Sequence, residues 1–251
     1  MKIVTLKKRF KKSVSRAAHE LFGNYNYEKF VVITGPRTGS NLLISLLSSH
    51  RNIHAYGELF NKERELSFSE IWDKTFSRKI NKIDSVGFKI FYDHPLGSKD
   101  KKVWDLIKSD RKMKIIHLKR ENVVRSELSL LIAHHTRIWG LTPTMKDIPI
   151  DQRKIVVEVD QFYKKLKERK EWEHQTLYSF QNHPYFEITY EKLTQDRGET
   201  MNSIFDFLNV PVHKSKSDLR KQNSEGIEDL VENYDEFRNK LLQTEFACFL
   251  E

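Results

Sequence analysis

FVVITGPRTGSNLLISLLSSH, residues 30–50, passes from one backbone pattern into another within a few positions. Phe30-Val31-Val32-Ile33-Thr34 is apolar and rich in β-branched residues, as a buried strand requires. Gly35-Pro36-Arg37-Thr38-Gly39-Ser40 reads as a turn. Leu42, Leu43, Leu46 and Leu47 then recur at helical spacing. Strand, glycine turn and helix make a cradle for an anion. Gly35 and Gly39 let the main chain approach a ligand closely. The first N–H groups of the helix lack internal partners and point at the turn, where the helix dipole favours negative charge. Arg37 adds a cation, Thr38 and Ser40 add hydroxyls, and Asn41 follows. The turn is not a Walker A loop, which needs G-x-x-x-x-G-K-[ST]. Here the glycines are one residue too close, and Asn41-Leu42 stand where lysine would be needed. By itself the turn also suits an ordinary strand–turn–helix connection.

Outward from this stretch, strands and helices alternate. Val86–Tyr92, Met113–Leu118 and Phe186–Tyr190 read as further strands. Helical spacing marks residues 100–109, 121–139, the series Ile155, Val159, Phe162, Leu166, and the series Met201, Ile204, Phe205, Leu208. Arg51–Asn61 reads as an extended connection with Gly57 at a turn, 62–83 as charged and mostly helical, and Leu141–Pro149 as a loop suited to a lid. This order predicts an α/β fold: one P-loop-like, three-layer domain on a central parallel sheet of about four or five strands, with right-handed crossovers. Ligands of such sheets sit at the carboxyl ends of the strands, where residues 35–40 lie. Residues 1–28 form a separate basic N-terminal helix in this reading, and 29–251 the α/β domain.

The chain has 251 residues, suited to one such domain. Its 44 Lys and Arg against 35 Asp and Glu give +9, which favours anionic partners. One cysteine, Cys248, excludes an intrachain disulfide framework and a Cys-based zinc site. It fits a reducing compartment, and cytoplasmic placement is expected. No apolar run reaches the ~20 residues of a membrane span. Leu6, Phe10, Val14, Ala17 and Leu21 repeat at helical spacing among lysines and arginines. They suit a helix peripheral to a membrane or one docked on its own domain.

Four further clusters carry candidate chemistry. Strand Met113–Leu118 runs into Lys119-Arg120, and Arg125 and Ser129 follow on one helical face. Forked guanidinium donors there suit a phosphate. Glu58, in GELF, is a carboxylate just past the first helix. Lys89 lies within GFKIFYDH, between Phe88 and Ile90, so it either faces outward or meets a charge. His94 closes that segment and offers an alternative base to Glu58. Last, Arg220-Lys221-Gln222 opens a basic stretch that ends at Gly226.

Pro36 to Leu43 resembles the 5′-phosphosulfate loop of sulfotransferases that use 3′-phosphoadenosine 5′-phosphosulfate (PAPS), nearest to the bacterial carbohydrate sulfotransferases. The Arg120 strand end resembles that family's 3′-phosphate motif, with Ser129 as its serine and Ser126 as a substitute one turn earlier. The Glu58 segment resembles the one that supplies the general base, and Lys89 matches a Gly-x-Lys strand beside the acceptor pocket. Arg220 and Lys221 loosely resemble the residues that cover the 3′-phosphate, with Gln222 replacing a glycine. The resemblance implies PAPS as co-substrate, no metal, and sulfuryl transfer to a hydroxyl of a carbohydrate or glycolipid. It puts Arg37 and the N–H groups of Thr38, Gly39, Ser40 and Asn41 on the leaving phosphate. The acceptor would meet residues 62–83 and 140–153. No nucleic acid is expected as partner, and oligomeric state is not legible. Two other readings stand beside it: a nucleoside or sugar kinase with a degenerate phosphate loop, and a non-catalytic binder of anionic glycan or nucleic acid. The missing loop lysine counts against the first. The lack of aromatic-basic interleaving counts against the second.

Overall fold

The structure, a computed structural model, describes residues 22–62, 66–80, 82–98, 101–140, 144–217 and 225–250. The basic N-terminal helix, with its membrane contact, lies outside them except for its last residues. Arg220 and Lys221 lie outside them too.

Five parallel strands form one sheet: β1 (Glu28–Thr34), β2 (Ile53–Glu58), β3 (Ser85–Phe91), β4 (Lys114–Lys119) and β5 (Tyr185–Thr189), in the order β2-β3-β1-β4-β5. β1 is central, and residues 30–34 are fully buried on both faces. That is why this strand reads as a continuous apolar run rather than an alternation. On one face Phe30 and Val32 pack with Leu43, Leu46 and Leu47 of α1 (Ser40–Ser48) and with Ile204 and Phe205 of α7 (Arg197–Phe207). On the other, Val31 and Ile33 pack with Ile71 of α2 (Phe68–Thr75), Ile107 of α3 (Lys102–Ser109) and Phe180, the last residue of α5 (Val159–Phe180). A third apolar cluster joins α4 (Val123–Thr136), α5 and α9 (Tyr234–Leu241) through Leu128, Phe162, Leu166 and Phe237. The short helices α6 (Tyr190–Gln195) and α8 (Ile227–Leu230) complete the described elements. This is the three-layer arrangement expected.

The structure corrects three boundaries. Arg51–Asn61 is not a mere extended connection, because Ile53–Glu58 pairs with β3 as the edge strand β2. The strand is half exposed and its register shifts between Tyr56 and Glu58, so no clean period-two pattern marks it. The long helix begins at Val159, and Ile155 instead bridges to Val231. The helix after β4 is shorter than residues 121–139. Asn122 caps it by accepting from the Arg125 N–H at 2.8 Å, and Arg137 ends it in the left-handed region at φ 61°. The chain then turns back and brings Trp139 toward the glycine turn, as described below.

Candidate active site

The turn after β1 is fixed by close packing of Tyr190 and Arg169 and by the Thr38 side chain. Arg37 and Gly39 both have positive φ, 61° and 80°. A Cβ on Gly39 would stand 2.4 Å from Cδ2 of Tyr190, and one on Gly35 would stand 2.8 Å from Nη1 of Arg169. Neither position has room for a side chain. Gly39 offers no side-chain cap to α1, so the first-turn N–H groups at Ser40 and Asn41 face the turn. The Thr38 hydroxyl points inward instead. It lies 3.0 Å from the Gly35 carbonyl and 2.6 Å from Thr34 Oγ1, which lies 2.6 Å from the Leu118 carbonyl. Thr38 therefore braces the turn with its side chain and has only its backbone N–H to offer a ligand.

The Arg120 motif meets this turn directly. Arg120 leaves the carboxyl end of β4 and donates from Nη1 to the Arg37 carbonyl at 3.1 Å. Its guanidinium lies over the Tyr190 ring, 4.9 Å from the centroid. Its Nε is buried without a hydrogen-bond partner, 3.9 Å from Glu191 Oε1. Arg37 donates from Nε to Ser129 Oγ at 2.9 Å and from Nη1 to the Trp139 carbonyl at 2.6 Å. Burial lowers the pKa of both guanidiniums, and the nearby Arg120 charge lowers that of Arg37 further. Two desolvated like charges at one strand end, with a buried donor left over, suit an anion placed between them. Ser129 faces this site. Ser126 does not, because it donates to the Pro36 carbonyl at 3.2 Å and accepts from Arg169 at 3.1 Å. Arg125, on the same helix, holds the Glu225 carbonyl at 2.8 Å, and Arg153 grips the Glu225 carboxylate at 2.7 and 2.8 Å.

Glu58, Lys89 and His94 form a second group beside α1. Lys89 projects from β3 with its side chain 3% exposed. Its ammonium meets Glu58 Oε1 at 3.0 Å, Asn41 Oδ1 at 2.5 Å and Ser40 Oγ at 3.4 Å. It thus ties the end of β2 to the start of α1. Burial lowers its pKa, and the Glu58 carboxylate pulls the other way. His94 accepts the Phe91 N–H on Nδ1 at 3.3 Å, which leaves the neutral ring's proton on Nε2, 4.0 Å from Glu58 Oε2. Its pKa is lowered by burial. His94 is 1% exposed, whereas the Glu58 side chain beside it is 29% exposed. Among the described residues, no three His, Cys, Asp or Glu side chains converge as a metal site would require.

Sequence reasoning missed three supports of this site. Arg169 of α5 donates to the Pro36 carbonyl at 3.0 Å, to Ser126 Oγ at 3.1 Å and to Glu127 Oε2 at 2.8 Å. Tyr190 carries Arg120 and covers Gly39. His117 of β4 is fully buried, with both ring nitrogens hydrogen-bonded to tyrosines. A usable signal existed for Arg169. It shares a helical stripe with Phe162, Leu166 and Glu173, all of which are buried.

His117 makes stability pH-dependent. Burial, helped by Lys119, lowers its pKa from 6.5 to about 3. Between these values the unfolded chain holds one proton more than the folded one, so stability falls as the pH drops. The slope reaches ~1.4 kcal/mol per pH unit. Urea denaturation at a series of pH values from about 6.5 down to about 4 should show it. In His117→Phe the dependence should be weaker by one proton; an unchanged slope would mean that His117 is not buried neutral.

A family model described as a sulfotransferase domain matches residues 27–235. Nodulation protein H of Rhizobium meliloti (strain 1021) is 26% identical over 243 residues, covering 89% of this chain and 95% of that protein. Nodulation protein H of Rhizobium tropici is 25% identical over 248 residues, covering 89% and 93%. Among solved structures, a sulfotransferase from Alicyclobacillus acidocaldarius superposes with a TM-score of 0.54 at 12% identity. That match covers 89% of this chain and 94% of the other, and it supports the fold.

Proposed function

The chain belongs to the sulfotransferase family and is an enzyme of sulfuryl transfer; we propose that its donor is PAPS and its acceptor a hydroxyl of a carbohydrate or glycolipid. The observation that carries this reading is the 3.1 Å contact between Arg120 and the main chain of the glycine turn. It supports the reading because the glycine turn after β1 and Arg120 after β4, expected at opposite ends of one adenosine bisphosphate, meet at the carboxyl ends of two neighbouring strands. The uncapped N-terminus of α1, at the end of the glycine turn, suits a phosphosulfate. The Nε of Arg120, without a hydrogen-bond partner, and Ser129, bonded to Arg37, suit a 3′-phosphate.

In this reading the acceptor oxygen attacks sulfur in line, the bond from sulfur to the phosphate oxygen breaks, and the acceptor proton passes to Glu58. Arg37 leaves Ser129 and Trp139 for the leaving phosphate, which the N–H groups of Thr38 to Asn41 also meet. Positioning and electrostatics do most of the work. Lys89 links the two events. While Glu58 is anionic, the ammonium is paired with it. Once Glu58 takes the proton, that positive charge is uncompensated and stands beside Ser40 and Asn41, where negative charge is building. Glu58 is the base and His94 its neighbour, since only Glu58 of the two opens outward.

Arg37→Ala should lower turnover by about 10²-fold, the scale of a lost transition-state donor. The check is transfer from radiolabelled PAPS to a panel of oligosaccharides. Turnover within a few-fold of wild type would remove Arg37 from this role.

A further inference from the structure

A polar chain centred on the buried His117 runs across the sheet and takes no part in the chemistry above. Tyr92 Oη lies 2.7 Å from His117 Nε2, and His117 Nδ1 lies 2.5 Å from Tyr185 Oη. Tyr185 opens β5, His117 lies in β4, and Tyr92 follows the end of β3. The chain therefore spans from β5 to β3, past β1, the strand that delivers the glycine turn. A neutral imidazole has one N–H and one lone pair, so it donates to one tyrosine and accepts from the other. Burial raises the pKa of both phenols, so both keep their protons.

Tyr92 touches the glycine turn and follows Phe91, which holds His94. Its Cε2 stands 3.3 Å from where a side chain on Gly35 would begin, and its N–H donates to the Thr34 carbonyl at 3.2 Å. Directly before it, the Phe91 N–H holds His94 Nδ1 at 3.3 Å, and the His94 N–H returns to the Phe91 carbonyl at 3.1 Å. His94 in turn faces Glu58. An apolar trio could fill the same space, but only directional bonds fix a ring's position along the strand. We propose that Tyr92 and His117 are positioning residues that keep the glycine turn and the Glu58–His94 group in register, with Tyr185 as the anchor at the sheet edge. The inference rests on the reading of these two groups as halves of one site.

Amide hydrogen exchange on the nucleotide-free protein tests it. In His117→Leu, exchange at Leu43, whose N–H is held by the Gly39 carbonyl at 3.1 Å, and at Tyr92 and His94 should rise together by about tenfold, while amides of α2 stay within twofold. Tyr92→Phe, which keeps the ring against Gly35, should move the same two segments. His117→Gln can both donate and accept, and it should restore most of the protection. Acceptor-free hydrolysis of PAPS should slow by about tenfold in the Leu variant, because small misplacements of reacting groups are costly, with the Kd for the product bisphosphate held within twofold. A rise at one segment alone would overturn the proposal. So would a rise throughout the sheet, or equal effects of Gln and Leu. The exchange result needs no nucleotide. Failure of wild type to bind the bisphosphate would thus count against the donor assignment and leave the positioning result readable.

Discussion

Glu58→Gln should slow sulfuryl transfer by about 10²–10⁴-fold, the range that general acid–base catalysis covers. The substitution keeps the shape of the side chain and an oxygen for Lys89, 3.0 Å away in the wild type. It removes the ability to take a proton. It also removes the negative charge that keeps the Lys89 ammonium protonated against burial. The variant's activity should therefore decline at a lower alkaline pH than that of wild type. Affinity for 3′-phosphoadenosine 5′-phosphate should change by no more than a few-fold, because in the proposed reading Glu58 meets the acceptor and not the nucleotide. Rates with radiolabelled PAPS across a pH series, alongside calorimetric binding of the bisphosphate, separate the two effects. A rate within a few-fold of wild type would take the base role away from Glu58.

Arg169→Met should destabilise the fold by about 3–5 kcal/mol, the cost of breaking a buried pair by removing one partner. Arg169 and Glu127 have side chains only 5% and 7% exposed and meet at 2.8 Å. Without the guanidinium, Glu127 keeps a buried charge, the Pro36 carbonyl is left with Ser126 as its one side-chain donor, and Ser126 Oγ loses the donor it accepts from. Replacing both partners, as Arg169→Met with Glu127→Leu, should recover most of the stability, because no charge is then stranded. It should not fully recover nucleotide affinity, since the Pro36 carbonyl still lacks one of its two donors. Urea denaturation and bisphosphate titration of the single and double variants check both halves. A single-variant loss below about 1 kcal/mol would show that the pair holds little.

What the sequence revealed and what it hid have physical reasons. The strand at residues 30–34, its glycine turn and the Arg120 strand end were legible because each depends on local chemistry: β-branched burial, backbone freedom, and a cation at a strand terminus. Their convergence was an expectation from fold rules alone, and it depends on β1 and β4 being neighbours. The edge strand β2 was illegible because one half-exposed face and a register shift blur its alternation. Arg169 was hidden among the surface lysines and glutamates of its helix, where only its place on the apolar stripe set it apart. Lys89 was left as outward or paired. The structure pairs it, with a carboxylate that sequence analysis had placed in a loop. Ser129 was the expected serine with Ser126 as a substitute one turn earlier, and only the third dimension turns Ser126 to the scaffold and Ser129 to Arg37.

The central claim is that one adenosine bisphosphate spans the glycine turn and Arg120, and thermal shift in the presence of nucleotides tests it most directly. At about 100-fold its Kd, 3′-phosphoadenosine 5′-phosphate should stabilise the protein by ~2.7 kcal/mol and raise its Tm by roughly 5–10 °C. AMP at the same concentration should give under a third of that shift, and Arg120→Ala should reduce the bisphosphate's effect to that of AMP. Equal shifts with AMP and the bisphosphate, or an undiminished shift in Arg120→Ala, would contradict the account.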